Sequence, residues 1–447
     1  MKGRLEVSTT YGNGSWQEQA HQVIALEPDR GVENFAINLY PELKGQIFDG
    51  FGGAITESAA YVYSLMKKED KEKLMKEYFS SDCMNYQMVR LSIDSCDFSL
   101  EHYEAMSDPE DLLFESFSME RLEKYIFPML EDAQKFAKKR LEVMLSPWSP
   151  PAFMKTNGDR NHGGKLKEEY RPVWARYLCH YIKEFKKRGF YVKRISLQNE
   201  PKAVQIWDSC VFTAKEQRDF LVDFMYPEMV KNHLEDIEVF VWDHNKERVY
   251  EWMKECIDEK SDSLIAGAAF HWYSGDHFES LDALKRVYPN KKLILSESCI
   301  ELVKFDGEDE VANALRLSHE IIGDLNHGME AFYDWNLLLN EEGGPNHVEN
   351  YCLAPFMYDT KRRKLKETLL AQHLRHFAKN LLPGSVEILS SGYTNRIDVT
   401  AFLRPDRKIA LLLLNHSEEV EKVNLRIEGQ LAELILYPKS ITSGILD

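Results

Sequence analysis

The sequence lacks most of the signatures that assign a function quickly. Its seven cysteines (Cys83, Cys96, Cys179, Cys210, Cys256, Cys299 and Cys352) are odd in number, irregularly spaced and never form C-x-x-C. That spacing excludes a disulfide frame and a zinc site and points to reduced, mostly buried thiols. There is no H-E-x-x-H. The nearest approach to a metal cluster is Asp243, His244, His271, Asp276 and His277, whose histidines have no recognised ligand spacing, so metal catalysis is not expected. No G-x-S-x-G is present, which removes the usual serine-hydrolase elbow. Gly50-Phe51-Gly52-Gly53 lacks the third glycine and the spacing of a dinucleotide loop, so its glycines read as tight-packing positions and no organic cofactor is implied. Basic residues are in deficit, 56 against 73 acidic, for a formal charge of −17. A nucleic acid or an anionic membrane surface needs clustered Lys and Arg and is therefore not an expected partner. No stretch reaches the ~18 apolar residues of a membrane span. The start, Met1-Lys2-Gly3-Arg4-Leu5-Glu6, is polar and without a signal-type apolar run. A cytoplasmic location is expected, barring a non-standard export route.

What the chain does have is length, 447 residues, and a hydrophobic content of 44%, enough for a large core. From Ile47 onward, strand-like runs alternate with helical stretches. The runs are Ile47 to Ala54, Met88 to Ile93, Leu141 to Ser146, the stretch ending at Glu200, Ile237 to Trp242, Leu264 to Phe270, the stretch ending at Glu297, and Gly328 to Trp335. Eight such units imply a closed parallel (β/α)8 TIM barrel, of ~250 residues in its usual form. Short strand-like runs before it and after Pro383-Gly384-Ser385 read as all-β. Neither end has strands enough for a core alone, so both are expected to build one β-sandwich. The divisions are residues 1–44 (N-terminal strands), 45–382 (barrel) and 383–447 (C-terminal strands of the sandwich).

Two stretches, Ser196-Leu197-Gln198-Asn199-Glu200-Pro201 and Leu293-Ile294-Leu295-Ser296-Glu297-Ser298, each read as a strand ending in a glutamate. Barrel enzymes keep their working groups at strand C-termini, and two carboxyl groups there are the minimum for glycoside hydrolysis. The other strand ends carry Asp97, Trp148, Asp243, His271, Tyr273 and Trp335. Aromatic walls with acids and amides suit a sugar, which has apolar ring faces and a rim of hydroxyls. Taken singly, Trp148 and Trp335 read as core aromatics and His271 as a supporting histidine.

These residues lie in longer stretches: Phe48 to Ala54, Ser95-Cys96-Asp97-Phe98-Ser99, Ser146 to Asn157, Gln198-Asn199-Glu200-Pro201, His271-Trp272-Tyr273, Ser296-Glu297, and Asp334 to Leu337 with Gly343 to Asn346. In them the chain resembles glycoside hydrolase family 30, the glucosylceramidase family, over almost its whole length. The resemblance implies Glu200 as acid/base and Glu297 as nucleophile. It implies Asn199 at the 2-hydroxyl, and Asp97, Trp148, Trp335 and Asn350 around a glucose. It places Tyr273 beside the nucleophile and Arg90 as a buried arginine near it. Burial and a neighbouring carboxylate are expected to raise the pKa of Glu200. Departures from the family pattern fall at residues 202–210 and after Cys299, loops that meet the leaving group. The function implied is a retaining β-glucosidase of glucosylceramidase type, without metal or cofactor and acting on a β-glucoside. Alternatives are a β-xylosidase, a β-fucosidase or a β-1,6-glucanase, or, from another class, a non-catalytic carbohydrate-binding or effector protein. The oligomeric state is left open.

Overall fold

A computed structural model describes residues 3–12 and 22–447. Eight parallel strands close a barrel: Gly50–Ala54, Met88–Ile93, Glu142–Pro147, Tyr191–Ser196, Glu238–Asn245, Gly267–His271, Lys292–Glu297 and Met329–Asp334. They are called strands one to eight below. Buried on both faces, they read in sequence as continuous apolar runs rather than alternating ones. Helices pack outside. In Arg171–Lys187, Trp174, Tyr177, Leu178, Tyr181, Ile182 and Phe185 recur at helical spacing and are buried. Gly189, at φ 87°, turns the chain out of that helix into strand four. Among the described residues no helix is long and apolar enough to cross a membrane.

Inside the barrel, Met88, Met144, Phe240, Ala269, Ile294, Ala331 and Tyr333 form a separate apolar layer. Below it Arg194, fully buried, meets Tyr333 Oη at 2.9 Å, Glu238 at 2.9 Å and Asp49 at 2.5 Å. Glu142, Glu238 and Lys292 each begin a strand, so this ion network seals the N-terminal end of the barrel.

Both chain ends enter one ten-stranded sheet. Arg4–Tyr11 pairs with Ser440–Leu446, and Ala36–Phe48 lies between Ser385–Ser391 and Glu421–Ile427. Leu5, Ile37, Leu39, Leu411, Leu413 and Leu425 belong to its own apolar core. The sheet strand runs to Phe48, and the barrel begins at Gly50, whose φ of 138° suits only glycine. At this seam Phe48 packs on Phe51 and Phe402. Two strands carry no clear signal in the sequence, Glu421–Ile427 and Ser440–Leu446. Ser440–Leu446 carries two serines and a glycine, weak strand formers, and its place is set by burial between Arg4–Tyr11 and Ile409–Asn415.

Strand six approaches strand seven so closely that a Cβ on Gly267 would strike the Lys292 backbone. Gly267→Ala should therefore destabilise the barrel by ~1–3 kcal/mol, the usual range for overpacking. The expected reading is a clear drop in melting temperature in a thermal scan, and an unchanged value would mean the two strands have room to part.

Candidate active site

The site occupies the C-terminal mouth of the barrel, and its base is Arg90. This arginine, in strand two, is fully buried and donates from Nη1 to Glu297 Oε2 at 2.6 Å. From Nη2 it donates to Asn199 Oδ1 at 2.8 Å and to Asp243 Oδ2 at 3.0 Å, and from Nε to Ser146 at 3.2 Å. Its plane lies 4.9 Å from the Trp148 ring and 5.4 Å from Trp335, which stack on each other at 5.3 Å. Trp148 and Trp335, which immediately follow strands three and eight, are thus walls of one site.

Glu297 is the last residue of strand seven, as the sequence pattern requires. It also accepts from Tyr273 Oη at 3.0 Å. Glu200 differs from its expected position: strand four ends at Ser196, and Glu200 follows in a loop with a left-handed backbone, φ 46°. The loop is pinned on both sides. Asn199 N–H donates to Pro147 O beside strand three, and Glu200 N–H donates to Asp243 O in strand five. Gln198 Nε2 donates to Trp148 O and Asn199 O. Asp94, Trp242, Asp243 and Asn336, at the tips of strands two, five and eight, also have φ between 56° and 72°. Such conformations persist only where the surroundings over-determine them, and they gather at working sites.

His271 closes strand six and joins three carboxylates. Its Nε2 lies 3.1 Å from Asp243 and 3.9 Å from Glu297, and its Nδ1 lies 3.3 Å from Glu200 Oε1. Asp243 is held further by the Ser296 hydroxyl at 2.5 Å. Burial opposes charge on His271, but Glu297, Asp243 and Glu200 outweigh it and push the imidazole up to about 9. Burial raises Asp243, yet Arg90 and His271 carry it well below the ordinary carboxylate value. Glu200 behaves likewise, contrary to expectation: burial raises it, but His244 and His271 together hold it below its ordinary value. The two groups that face each other across 3.3 Å thus shift in opposite directions, the imidazole up and the carboxyl down. Asp97 moves the other way. Burial first, then the charges of Glu297 and Glu200, raise it well above a normal aspartate, and Asn350 Nδ2 donates to it at 3.0 Å.

The cavity above these groups measures about 160 Å³, and Asp97, Trp148, Asn199, Glu200, Tyr273, Glu297, Trp335 and Asn350 all line it. Arg90, Asp243 and His271 form the layer beneath. Residues absent from the sequence reading of the site also line it: Gln205, Trp207, Asn245, Cys299, Glu301, Lys304 and His244, whose Nδ1 lies 3.4 Å from Glu200 Oε1. In the sequence His244 showed as the residue after Asp243 at a strand tip and as a member of the histidine cluster set aside for lack of metal-ligand spacing. Glu200, His244 and His271 bring donor atoms within 4.8 Å of one another and are the group in this mouth that could hold a cation. His271, between Asp243 and Glu200, serves equally to hold and pass a proton. A larger cavity of about 540 Å³ lies alongside, sharing Tyr273, Glu301 and Lys304 and reaching His416 of the sandwich.

Comparison with known proteins places this geometry. The family description "Glycosyl hydrolase family 30 TIM-barrel domain" matches residues 48–381, and "Glycosyl hydrolase family 30 beta sandwich domain" matches residues 384–444. The lysosomal acid glucosylceramidase of Mus musculus is 29% identical over 88% of this chain and 80% of its own length. The crystal structure of SrfJ from Salmonella typhimurium superposes with a TM-score of 0.95 at 34% identity, covering 100% of this chain and 99% of that one. The structure of an endo-β1,6-glucanase gives 0.89 at 26% identity, covering 99% of both.

Replacing Arg90 by Met would leave Glu297 and Asp243 as buried carboxylates short of a cation, a loss of ~3–5 kcal/mol for a broken buried pair. In the wild type, Asp243 lies below its unfolded value of ~3.9, so its contribution is present above that pH and is lost as pH falls through the folded value. In Arg90→Met the folded value of Asp243 rises, so the stability deficit should be largest near neutrality and shrink on acidification. Thermal unfolding of both proteins across pH 4 to 8 checks this, and a pH-independent deficit would contradict it.

Proposed function

The chain belongs to glycosyl hydrolase family 30 and is a glycoside hydrolase, and on that premise we propose that it is a retaining β-glycosidase removing a terminal β-glucosyl residue. Family membership sets aside the non-catalytic readings. The observation that carries the proposal is the pairing of Glu200 and Glu297 across one imidazole, His271, in a cavity of about 160 Å³. That volume is well below the ~300–1,000 Å³ of sites for drug-sized ligands and suits a single sugar ring. Glu297 attacks the anomeric carbon while Glu200 protonates the departing oxygen. Water then opens the glycosyl-enzyme with Glu200 as base. Because His244 and His271 hold Glu200 below its ordinary value while His271 is held above its own, the acid proton is one that Glu200 shares with His271, and the pH limits of turnover belong to that pair. Arg90 and Tyr273 hold Glu297 in line. Asp97, protonated by burial, donates to a sugar hydroxyl, and the stacked Trp148 and Trp335 face the ring.

An apolar leaving group, as in a glucosylceramide, is supported by the rim. Val204, Ile206 and Val303 are 66%, 62% and 83% exposed and directly flank the pocket residues Gln205, Trp207 and Lys304. The second reading, a β-1,6-glucanase, is supported by the full-length likeness to the endo-β1,6-glucanase and by the 540 Å³ cavity alongside, which has room for further sugars. The seven free thiols suit a reducing compartment and support a cytoplasmic location.

A panel of aryl β-glycosides, glucosylceramide and a long β-1,6-glucan separates these readings. Release of glucose alone is expected, and long oligosaccharides as early products would favour the glucanase reading. The two glutamates separate on their own test. Glu297→Ala should abolish turnover for every leaving group. Glu200→Ala should lose ~10²–10⁴-fold on poor leaving groups but still form the glycosyl-enzyme from a dinitrophenyl glucoside. Azide should rescue Glu200→Ala to a β-glucosyl azide and Glu297→Ala to the α-azide, distinguished by the anomeric proton coupling. The same anomer from both would reverse the assignment.

A further inference from the structure

Two thiols beside the nucleophile are unused by this chemistry. Cys299 stands two residues after Glu297 and lines the glycone cavity. Cys352 stands two residues after Asn350, which holds Asp97. The short strands Ile300–Glu301 and Cys352–Leu353 pair antiparallel and bring the two sulfurs to 2.9 Å. Both side chains are buried. Cys299 Sγ also lies 3.5 Å from the Tyr273 hydroxyl that donates to Glu297. Of the four other buried thiols, Cys96 meets Ser99 and Cys256 donates to Ala214 O.

We propose that Cys299 and Cys352 form an oxidant-sensitive dithiol site that closes to a disulfide and, when closed, lowers glycosidase turnover. The oxidant is a small peroxide, admitted through the glycone cavity to Cys299. The Cys299 sulfur attacks one peroxide oxygen and releases water, giving a sulfenic acid. The Cys352 sulfur then attacks that sulfur, a second water leaves, and the S–S bond closes. Two thiols are oxidised, one hydrogen peroxide is reduced to two waters, and both thiol protons end in those waters. Burial raises both thiols above the usual cysteine value, so the thiolate is scarce and the closure is slow. A covalent bond is shorter than the present separation and draws the Glu297–Cys299 segment toward the Asn350 loop. It also removes the thiol that Tyr273 touches. A displacement of ~1 Å among reacting groups is enough for a loss of up to ~10²-fold.

The cross-link stands on geometry alone, whereas its effect on turnover rests on the glycosidase reading. The test treats the full chain with hydrogen peroxide and digests it without reduction. A Cys299–Cys352 linked peptide is expected, with kcat/KM on an aryl β-glucoside at least tenfold lower and restored by dithiothreitol. A saturating competitive iminosugar should slow the loss by filling the way in. Cys352→Ser, or Cys352→Ala if the first folds poorly, should give no linked peptide and no dithiothreitol-reversible loss beyond its own untreated activity. Oxidation of other cysteines without the linked peptide would overturn the proposal, and so would a linked peptide with unchanged kcat/KM. If the untreated enzyme turns over no glycoside, the function reading fails, and the linked peptide still decides the cross-link.

Discussion

The mouth of this barrel crowds Glu200, Glu297, Asp243 and Asp97 into one buried space, and it folds because Arg90 stands beneath them. A carboxylate taken from water is strongly disfavoured unless a cation and hydrogen bonds replace its hydration. Arg90 supplies both to Glu297 and Asp243 and, through Asn199, reaches the loop that carries Glu200. His271 supplies the second cation. Asp97 has an amide, Asn350, and no cation beside it, and burial with the charges of Glu297 and Glu200 raises it well above a normal aspartate. The environments thus differ by who is paired with whom: Glu297 and Asp243 beside an arginine, Glu200 beside two imidazoles, and Asp97 beside an amide.

Arg194 solves a similar problem at the opposite end of the barrel for a different purpose. It gathers the acids that begin strands three and five and the Asp49 before strand one, and so closes the barrel floor. Between the two arginines lies the layer of Met88, Met144, Phe240 and their neighbours. The floor is a stability device. The mouth carries left-handed residues at several strand tips, which cost of order 1–3 kcal/mol each. The hydrogen bonds from Asn199, Glu200 and Gln198 to adjacent strands hold that strain in place.

A chain 34% identical superposes over the whole of this one, so the backbone that carries this frame is kept through wide change in sequence. Residues 202–210 and those after Cys299 carry the exposed Val204, Ile206 and Val303; both stretches border the smaller cavity, and the second borders the larger one as well. The two thiols sit where the second of these loops meets the Asn350 loop, so the proposed cross-link would shift an element that borders both cavities.

The sequence by itself determined the barrel, because buried parallel strands must be short apolar runs and helices between them must be amphipathic, both of which are local patterns. It also marked Glu200, Glu297, Asp97, Asp243, His271 and the tryptophans, since barrel chemistry gathers at strand ends. Only the tertiary structure decided that Glu200 stands beyond its strand in a left-handed loop, and that His244 shares its oxygen with His271. It decided as well that Cys299 faces Cys352 across 53 positions of chain. It decided that Ser440–Leu446 is a central strand despite its serines and glycine. Each of these is a relation between side chains far apart in sequence. Its energy comes from burial and charge in a shared space, and no local pattern of residues encodes that space.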